Sequence, residues 1–111
     1  MSHITGGGLA ANLERVLPVE LTANLDRTTW SLPPVFRLVA ETGGVARGDL
    51  ERTLNCGVGM VAMTAEADAD RAVSLLAGHG IHAWVAGTVE HAGADEAVDD
   101  AGRVTLRGDH T

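Results

Sequence analysis

The period of the apolar residues changes several times along the chain, and each change marks an element. Leu9, Leu13, Val16 and Leu17 recur at helical spacing, with Asn12, Glu14 and Arg15 on the other face. That spacing predicts an amphipathic helix near 8–17, ended by Pro18. Leu21, Ala23 and Leu25 alternate with Thr22 and Asn24, the pattern of a half-buried strand near 21–25. The polar stretch from Asp26 to Thr29 reads as a turn. Pro33-Pro34 opens a second helix near 34–42, because proline suits the first helical position. Val35, Leu38 and Val39 form its apolar stripe, and Gly43-Gly44 end it. A short helix from about Asp49 to Leu54 follows.

Cys56 to Met63 is apolar at nearly every position, which predicts a strand near 56–63 covered on both faces. Gly57 and Gly59 lie on one side of it, where they admit a bulge or the close approach of another backbone or a ligand. Thr64 is placed to cap a helix near 65–78 whose first turns carry Glu66, Asp68 and Asp70. Its inward face is Ala69, Ala72, Val73 and Leu76, and Gly78 and Gly80 close it. Alternation from Ile81 to Val89 predicts a strand near 82–90, and the strand–helix–strand unit leaves parallel and antiparallel returns both open. Gly93 to Gly102 is acidic, alanine-rich and without periodicity, and reads as a mobile loop. Arg103 to Arg107 offers an edge strand blunted by its two arginines, and Gly108 to Thr111 is tail. The expectation is one domain-like unit over 1–92, followed by the acidic loop, edge strand and tail over 93–111.

Before the first helix runs His3-Ile4-Thr5-Gly6-Gly7-Gly8, read as strand end, tight loop and helix start. Glycine permits φ > 0 and close backbone approach, and the first turn of a helix presents unpaired N–H groups and a positive dipole end. Such a loop suits an anion. Three glycines before a helix also occur in plain loops, so the pattern leaves both readings open. No Lys-Ser/Thr follows, so it is not a P-loop, and the spacing is not G-x-G-x-x-G.

With 111 residues, 45% of them apolar, the chain suits one globular core. Fifteen acidic residues against eight basic ones give a formal charge of -7, which argues against non-specific nucleic-acid or anionic-membrane binding. All eight basic residues are arginines, so lysine chemistry is excluded within this chain. The single cysteine, Cys56, cannot form an internal disulfide, and it lies in an apolar run where a buried inert thiol is the simple reading. No apolar run reaches the ~20 residues of a membrane span, and no signal-peptide pattern opens the chain; the expected location is the cytoplasm. His79, His82, His91 and His110 show no ligand spacing with Cys56 or one another, so no metal site is expected. Asp68 and Asp70 read as a solvated helix face, and Asp99-Asp100 as solubility. Trp30 and Trp84 read as core or interface residues rather than stacking platforms. His3 is either a substrate contact or a histidine that fixes the loop locally. No Ser/His/Asp order or paired-acid motif appears, and catalytic residues stay unknown. Met1-Ser2 leaves almost no residues for a strand before the glycine loop, which predicts a fragment or truncation of a larger domain.

The glycine string with Asn12 and Arg15-Val16-Leu17-Pro18 resembles part of the phosphoribosylformylglycinamidine cyclo-ligase (AIR synthetase) family. So do Trp30 with Pro33-Pro34-Val35-Phe36, the run Arg52 to Met60, and Ala83-Trp84-Val85-Ala86-Gly87. These four blocks, in the family's order and spacing, cover residues 3 to about 90 and resemble its C-terminal part only. The resemblance implies an α/β fold: a mixed β-sheet flanked by helices, as an incomplete C-terminal domain of the AIR synthetase type. It implies an ATP-dependent enzyme of purine biosynthesis that cyclises formylglycinamidine ribonucleotide to aminoimidazole ribonucleotide, usually with Mg²⁺. In such an enzyme this chain would be the second-domain wall of the active-site groove. His3, Thr5, Gly6, Gly7 and Gly8 would be its contacts to a substrate or nucleotide phosphate; Asn55, Gly57 and Gly59 would be packing residues. The implied partners are a ribonucleotide substrate, the missing N-terminal part of the enzyme and a second copy in a homo-oligomer. The alternative is a non-catalytic module that binds a partner or nucleotide without turnover.

Overall fold

The computed structural model describes residues 1–91 and 103–110. Strands β1 (Ser2–His3) and β3 (Met60–Val61) form a two-stranded antiparallel pair. A second sheet has the order β4-β2-β5, with β2 (Leu21–Asp26) central. Strand β4 (Gly87–His91) runs antiparallel to β2, from Leu21↔His91 to Leu25↔Gly87. Strand β5 (Val104–Arg107) runs parallel to β2 on the other side, from Ala23↔Val104 to Asp26↔Arg107. The helices are α1 (Gly8–Val16), α2 (Pro34–Gly43), α3 (Arg47–Thr53) and α4 (Ala69–Gly78). The mixed α/β class is therefore as the sequence implies.

The core forms where α1 lies against the larger sheet. Leu9, Leu13 and Leu17 of the α1 stripe, Ala23 and Leu25 of β2, and Val104 of β5 are all buried together with Ile4, Trp30 and Val58. The β2 alternation is thus realised, and β5 is the edge strand expected at 103–107. Asp26 caps a 3₁₀ turn at Arg27–Thr29, its side chain accepting the amide of Thr28. The Thr28 hydroxyl, which donates to the same carboxylate, and then that amide hold the Asp26 carboxyl below its ordinary pKa. Gly44, at φ 62, ends α2 in the left-handed conformation that glycine adopts without Cβ strain.

Several expected elements are corrected. The strand near 56–63 shrinks to Met60–Val61, and it is not covered on both faces, since Met60 is 53% exposed. Cys56 and Gly57 have φ of 52 and 97, which no strand accommodates, and Asn55 Oδ1 accepts the Gly57 amide to fix that turn. The strand near 82–90 begins only at Gly87. Its partner β2 ends at Asp26, where the chain coils into the 3₁₀ turn, so residues 81–85 have no strand to pair with among the described residues. Since β3 and β4 lie in different sheets, the unit between them is neither a parallel crossover nor an antiparallel return. Thr64 does not cap a helix: its hydroxyl donates to the carbonyl of Ala65, a 3₁₀ turn at Glu66–Asp68 intervenes, and α4 starts at Ala69. Helix α3 starts at Arg47, ahead of Asp49. The α2 stripe does not face a core: Val35 and Leu38 are about 60% exposed and Val39 is 42% exposed. On α1, Val16 is exposed and Asn12 is buried, the reverse of the amphipathic assignment. The acidic stretch read as a loop over 93–102 lies outside the described residues.

Candidate functional site: the glycine loop

The loop from Thr5 to Gly8 joins β1 to α1 and is held from inside by Asn12. The Asn12 carboxamide nitrogen donates to the carbonyls of Thr5 (3.1 Å), Gly6 (3.4 Å) and Gly8 (2.7 Å). Its oxygen accepts from the Thr5 hydroxyl (3.2 Å) and from Arg15 (3.3 Å). Ser2, also buried, donates its hydroxyl to the Asn12 carbonyl at 2.9 Å. One buried amide, one turn into the helix, thus gathers the loop carbonyls inward. The Gly8 amide closes the loop on the Thr5 carbonyl at 3.2 Å. The amides of Gly6 and Gly7 take no part in the hydrogen bonds among the described residues.

The three glycines are not equivalent. Gly7 has φ 101, and a Cβ there would meet only the Asn12 amide nitrogen at 3.9 Å. Gly6 is exposed and a Cβ there would meet nothing within 4 Å. Gly8 is buried at φ 86, and a Cβ would lie 1.8 Å from the carbonyl oxygen of Glu51. Gly8 is therefore the point where α1 touches the backbone of α3, and its need for glycine is packing. His3 and Thr5 are exposed beside the loop. A cleft of about 260 Å³ opens there, lined by Ile4, Thr5, Gly6, Phe36, Leu54 and Asn55. The structure brings His3, Thr5, Gly6 and Gly7 to one exposed strip and turns Gly8 inward.

Of the residues read as packing, Gly57 fits: a Cβ there would lie 2.8 Å from the Pro33 ring. Gly59 has open space around it and accepts the Ile4 amide at 2.9 Å. Asn12 as the organiser of the loop was not evident from periodicity. The available signal was an asparagine seven residues past Thr5, within reach of both sides of a tight turn. Phe36 and Leu54, which wall the cleft, arrive from α2 and the end of α3 and carry no local signal at all.

A second constellation centres on Arg27. Arg27 meets Glu51 through two bonds of 2.8 Å, with both side chains nearly buried. Arg27 also donates to the carbonyls of Leu106 (3.0 Å) and Gly108 (3.1 Å). Burial, and then the Glu51 charge, push the neighbouring Cys56 thiol up to about 11, so it is a neutral thiol and not a nucleophile at pH 7. Among the described residues no three His, Cys, Asp or Glu side chains converge as metal ligands. None of the helices among the described residues is long and apolar enough to cross a membrane. What the arrangement offers is an exposed strip, Cβ-free at Gly6 and Gly7, at the positive end of α1, with no acidic residue in that first turn.

Residues 1–100 match the C-terminal domain of the AIR synthase related protein family. The chain belongs to this family. A Streptomyces fradiae protein is 50% identical over 109 residues, which is 98% of this chain and 59% of that protein. The phosphoribosylformylglycinamidine cyclo-ligases of Paraburkholderia phymatum and Burkholderia multivorans are each 50% identical over 97 residues. That is 87% of this chain but only 27% and 28% of those two enzymes. The AIR synthase related domain seen here thus accounts for a minor part of the longer relatives, and strand β5 lies just beyond the stretch that matches the family.

Proposed function

We propose that the chain forms the phosphate-holding wall of an ATP-dependent cyclo-ligase that converts formylglycinamidine ribonucleotide to aminoimidazole ribonucleotide in purine biosynthesis. The observation that carries this reading is the loop held open by Asn12, with Gly6 and Gly7 exposed and their amides unused among the described residues. His3, Thr5, Gly6 and Gly7 would touch the phosphate, and Gly8 would supply its backbone at the helix start. ATP would bring the phosphoryl group that activates the formyl oxygen, with magnesium to neutralise charge. In this reading both would be held largely by the remainder of the enzyme, with which this chain would assemble. A free, buried Cys56 fits a cytoplasmic setting.

The test is a chimera in which this chain replaces the matching 97 residues of the Paraburkholderia phymatum enzyme. The chimera is expected to turn over formylglycinamidine ribonucleotide, and the chain alone to release no more ADP than a blank. Gly6→Val and Gly7→Val in the chimera should each cut kcat/KM at least ~10-fold, since a misplaced phosphate costs positioning. Gly6→Val is the cleaner variant, because Gly6 has no positive φ to strain. Unchanged kinetics in both variants would remove the loop from the substrate site. Binding without turnover would favour a non-catalytic module.

The same reading includes self-association of the isolated chain. Val35, Leu38, Leu75 and Val85 are all more than half exposed, and such apolar surface favours burial against a partner. Sedimentation velocity is expected to show a dimer or larger species; a monodisperse monomer at tens of micromolar would count against it.

A further inference from the structure

Strand β4 closes one side of the larger sheet: β2 pairs with it on one flank, and no strand among the described residues pairs with the other. The ladder fixes which of its backbone groups are open. Asp26 donates its amide to the Ala86 carbonyl at 2.8 Å, so these two residues face each other as a bonded pair. Bonded and non-bonded pairs alternate along an antiparallel ladder. In the register from Leu25↔Gly87 to Leu21↔His91, Thr88 and Glu90 therefore point their backbone groups at β2. Gly87, Val89 and His91 point theirs away, and those groups take no part in the hydrogen bonds among the described residues.

The side chains mark the same edge. Val89 lies opposite Ala23, so the two share a face of the sheet. Ala23 is 1% exposed on that face, yet Val89, one strand further out, is 41% exposed. The apolar face thus runs to the edge and stops there uncovered. Edge strands are commonly blunted by lysine, proline or a bulge. The sequence Gly87-Thr88-Val89-Glu90-His91 has no lysine or proline, and its register against β2 is unbroken. Strand β5, at the other edge, ends in Arg107.

We infer that β4 is a docking edge for a second copy of this chain, joined β4 to β4 in antiparallel fashion about a two-fold axis at Val89. This names the surface for the self-association proposed above and rests on that reading. Val89 exchanges a pair of hydrogen bonds with Val89 of the second copy, and Gly87 does so with His91 of the second copy, so every outward group of the strand is paired. Charge selects this register. Glu90 comes opposite the neutral Thr88 of the second copy. An axis at Glu90 would instead set two carboxylates directly opposite, which is destabilising, and an axis at Thr88 would leave His91 beyond the end of the pairing. The docked copies form one continuous sheet, with the two exposed valines side by side at the seam.

The experiment compares dimer dissociation constants by sedimentation equilibrium. Val89→Pro removes an outward N–H and spares the ladder to β2, since proline is tolerated on an edge strand whose N–H faces solvent. It should raise the dissociation constant at least tenfold. Val89→Thr keeps the β-branched shape and the amide and should stay within threefold of the parent chain. In the ¹⁵N-labelled parent chain, raising the concentration from tens to hundreds of micromolar should slow exchange of the Gly87, Val89 and His91 amides at least fivefold. A Val89→Pro dimer as tight as the parent's overturns the β4 interface and leaves self-association standing. A parent chain that stays monomeric at hundreds of micromolar overturns both. If Val89→Pro does not fold, the three amides decide, and exchange that ignores concentration refutes the β4 edge.

Discussion

Asn12 shows how much one side chain can settle. Its amide group satisfies three carbonyls of the tight loop, in one buried bond to Gly8 and two partly buried ones to Thr5 and Gly6. Asn12→Ala is expected to destabilise the chain by ~2–3 kcal/mol, because the carbonyls lose their donor while staying partly buried. Thermal unfolding should show the loss as a drop of roughly 10 °C or more for a domain of this size. Asn12→Asp should be at least as damaging at pH 7, since a carboxylate would face the same oxygens; a variant as stable as the parent would refute the role. Cys56 gives a second test at this scale. With the thiol at about 11, the thiolate at pH 8 is ~0.1% of molecules, so alkylation should run at least tenfold slower than in urea-unfolded chain. The sign for stability follows from the same shift. The folded chain keeps the proton that the unfolded chain loses, so stability falls as pH rises from the ordinary thiol range toward 11. Rapid labelling of folded protein would show that the thiol is exposed to solvent.

Among the elements, α1 and α3 meet through the missing side chain of Gly8. Gly8→Ala would drive a methyl group to 1.8 Å from the Glu51 carbonyl, on top of a positive φ, and should cost ~3 kcal/mol or more. Gly6→Ala, in open space without a positive φ, should stay within ~0.5 kcal/mol in the same urea titration. Equal losses would mean that the loop is tight throughout. These two neighbours also show where sequence reading succeeds. Local pattern was enough to place α1, β2 and the Gly44 stop, because spacing and punctuation agreed there. It failed at 56–63, where an apolar run looked like a covered strand. The left-handed turn at Cys56 and Gly57 and the short partner β1 decided otherwise, and neither is written in hydropathy. It failed on Asn12 and Val16 because the loop before the helix, not the helix period, chose which face needed a polar group. The glycine string itself was legible as a loop, but which glycine faces solvent and which packs was set by α3, a distant segment.

For the whole molecule, Arg27 is the tie. It joins the end of β2 to Glu51 on α3 and to the backbone around β5, so three separate parts of the chain meet on one guanidinium. Arg27→Ala should cost ~3–5 kcal/mol by leaving Glu51 buried and unpaired. The double variant Arg27→Met with Glu51→Met should regain much of it; a double variant no better than the single one would mean that the arginine contributes mainly through β5. The position of β2 at the centre of its sheet also sets a clock. Both of its neighbours come from far downstream: Thr22 bonds to a residue 68 positions later, and Arg27 to one 79 positions later. At a synthesis rate of roughly 5–20 residues per second, β2 is made several seconds before either neighbour exists. For that interval Leu21, Ala23 and Leu25 form a newborn segment whose native partners have yet to be translated. The yield of correctly folded chain should therefore respond to translation speed and to chaperone supply more than its modest size suggests.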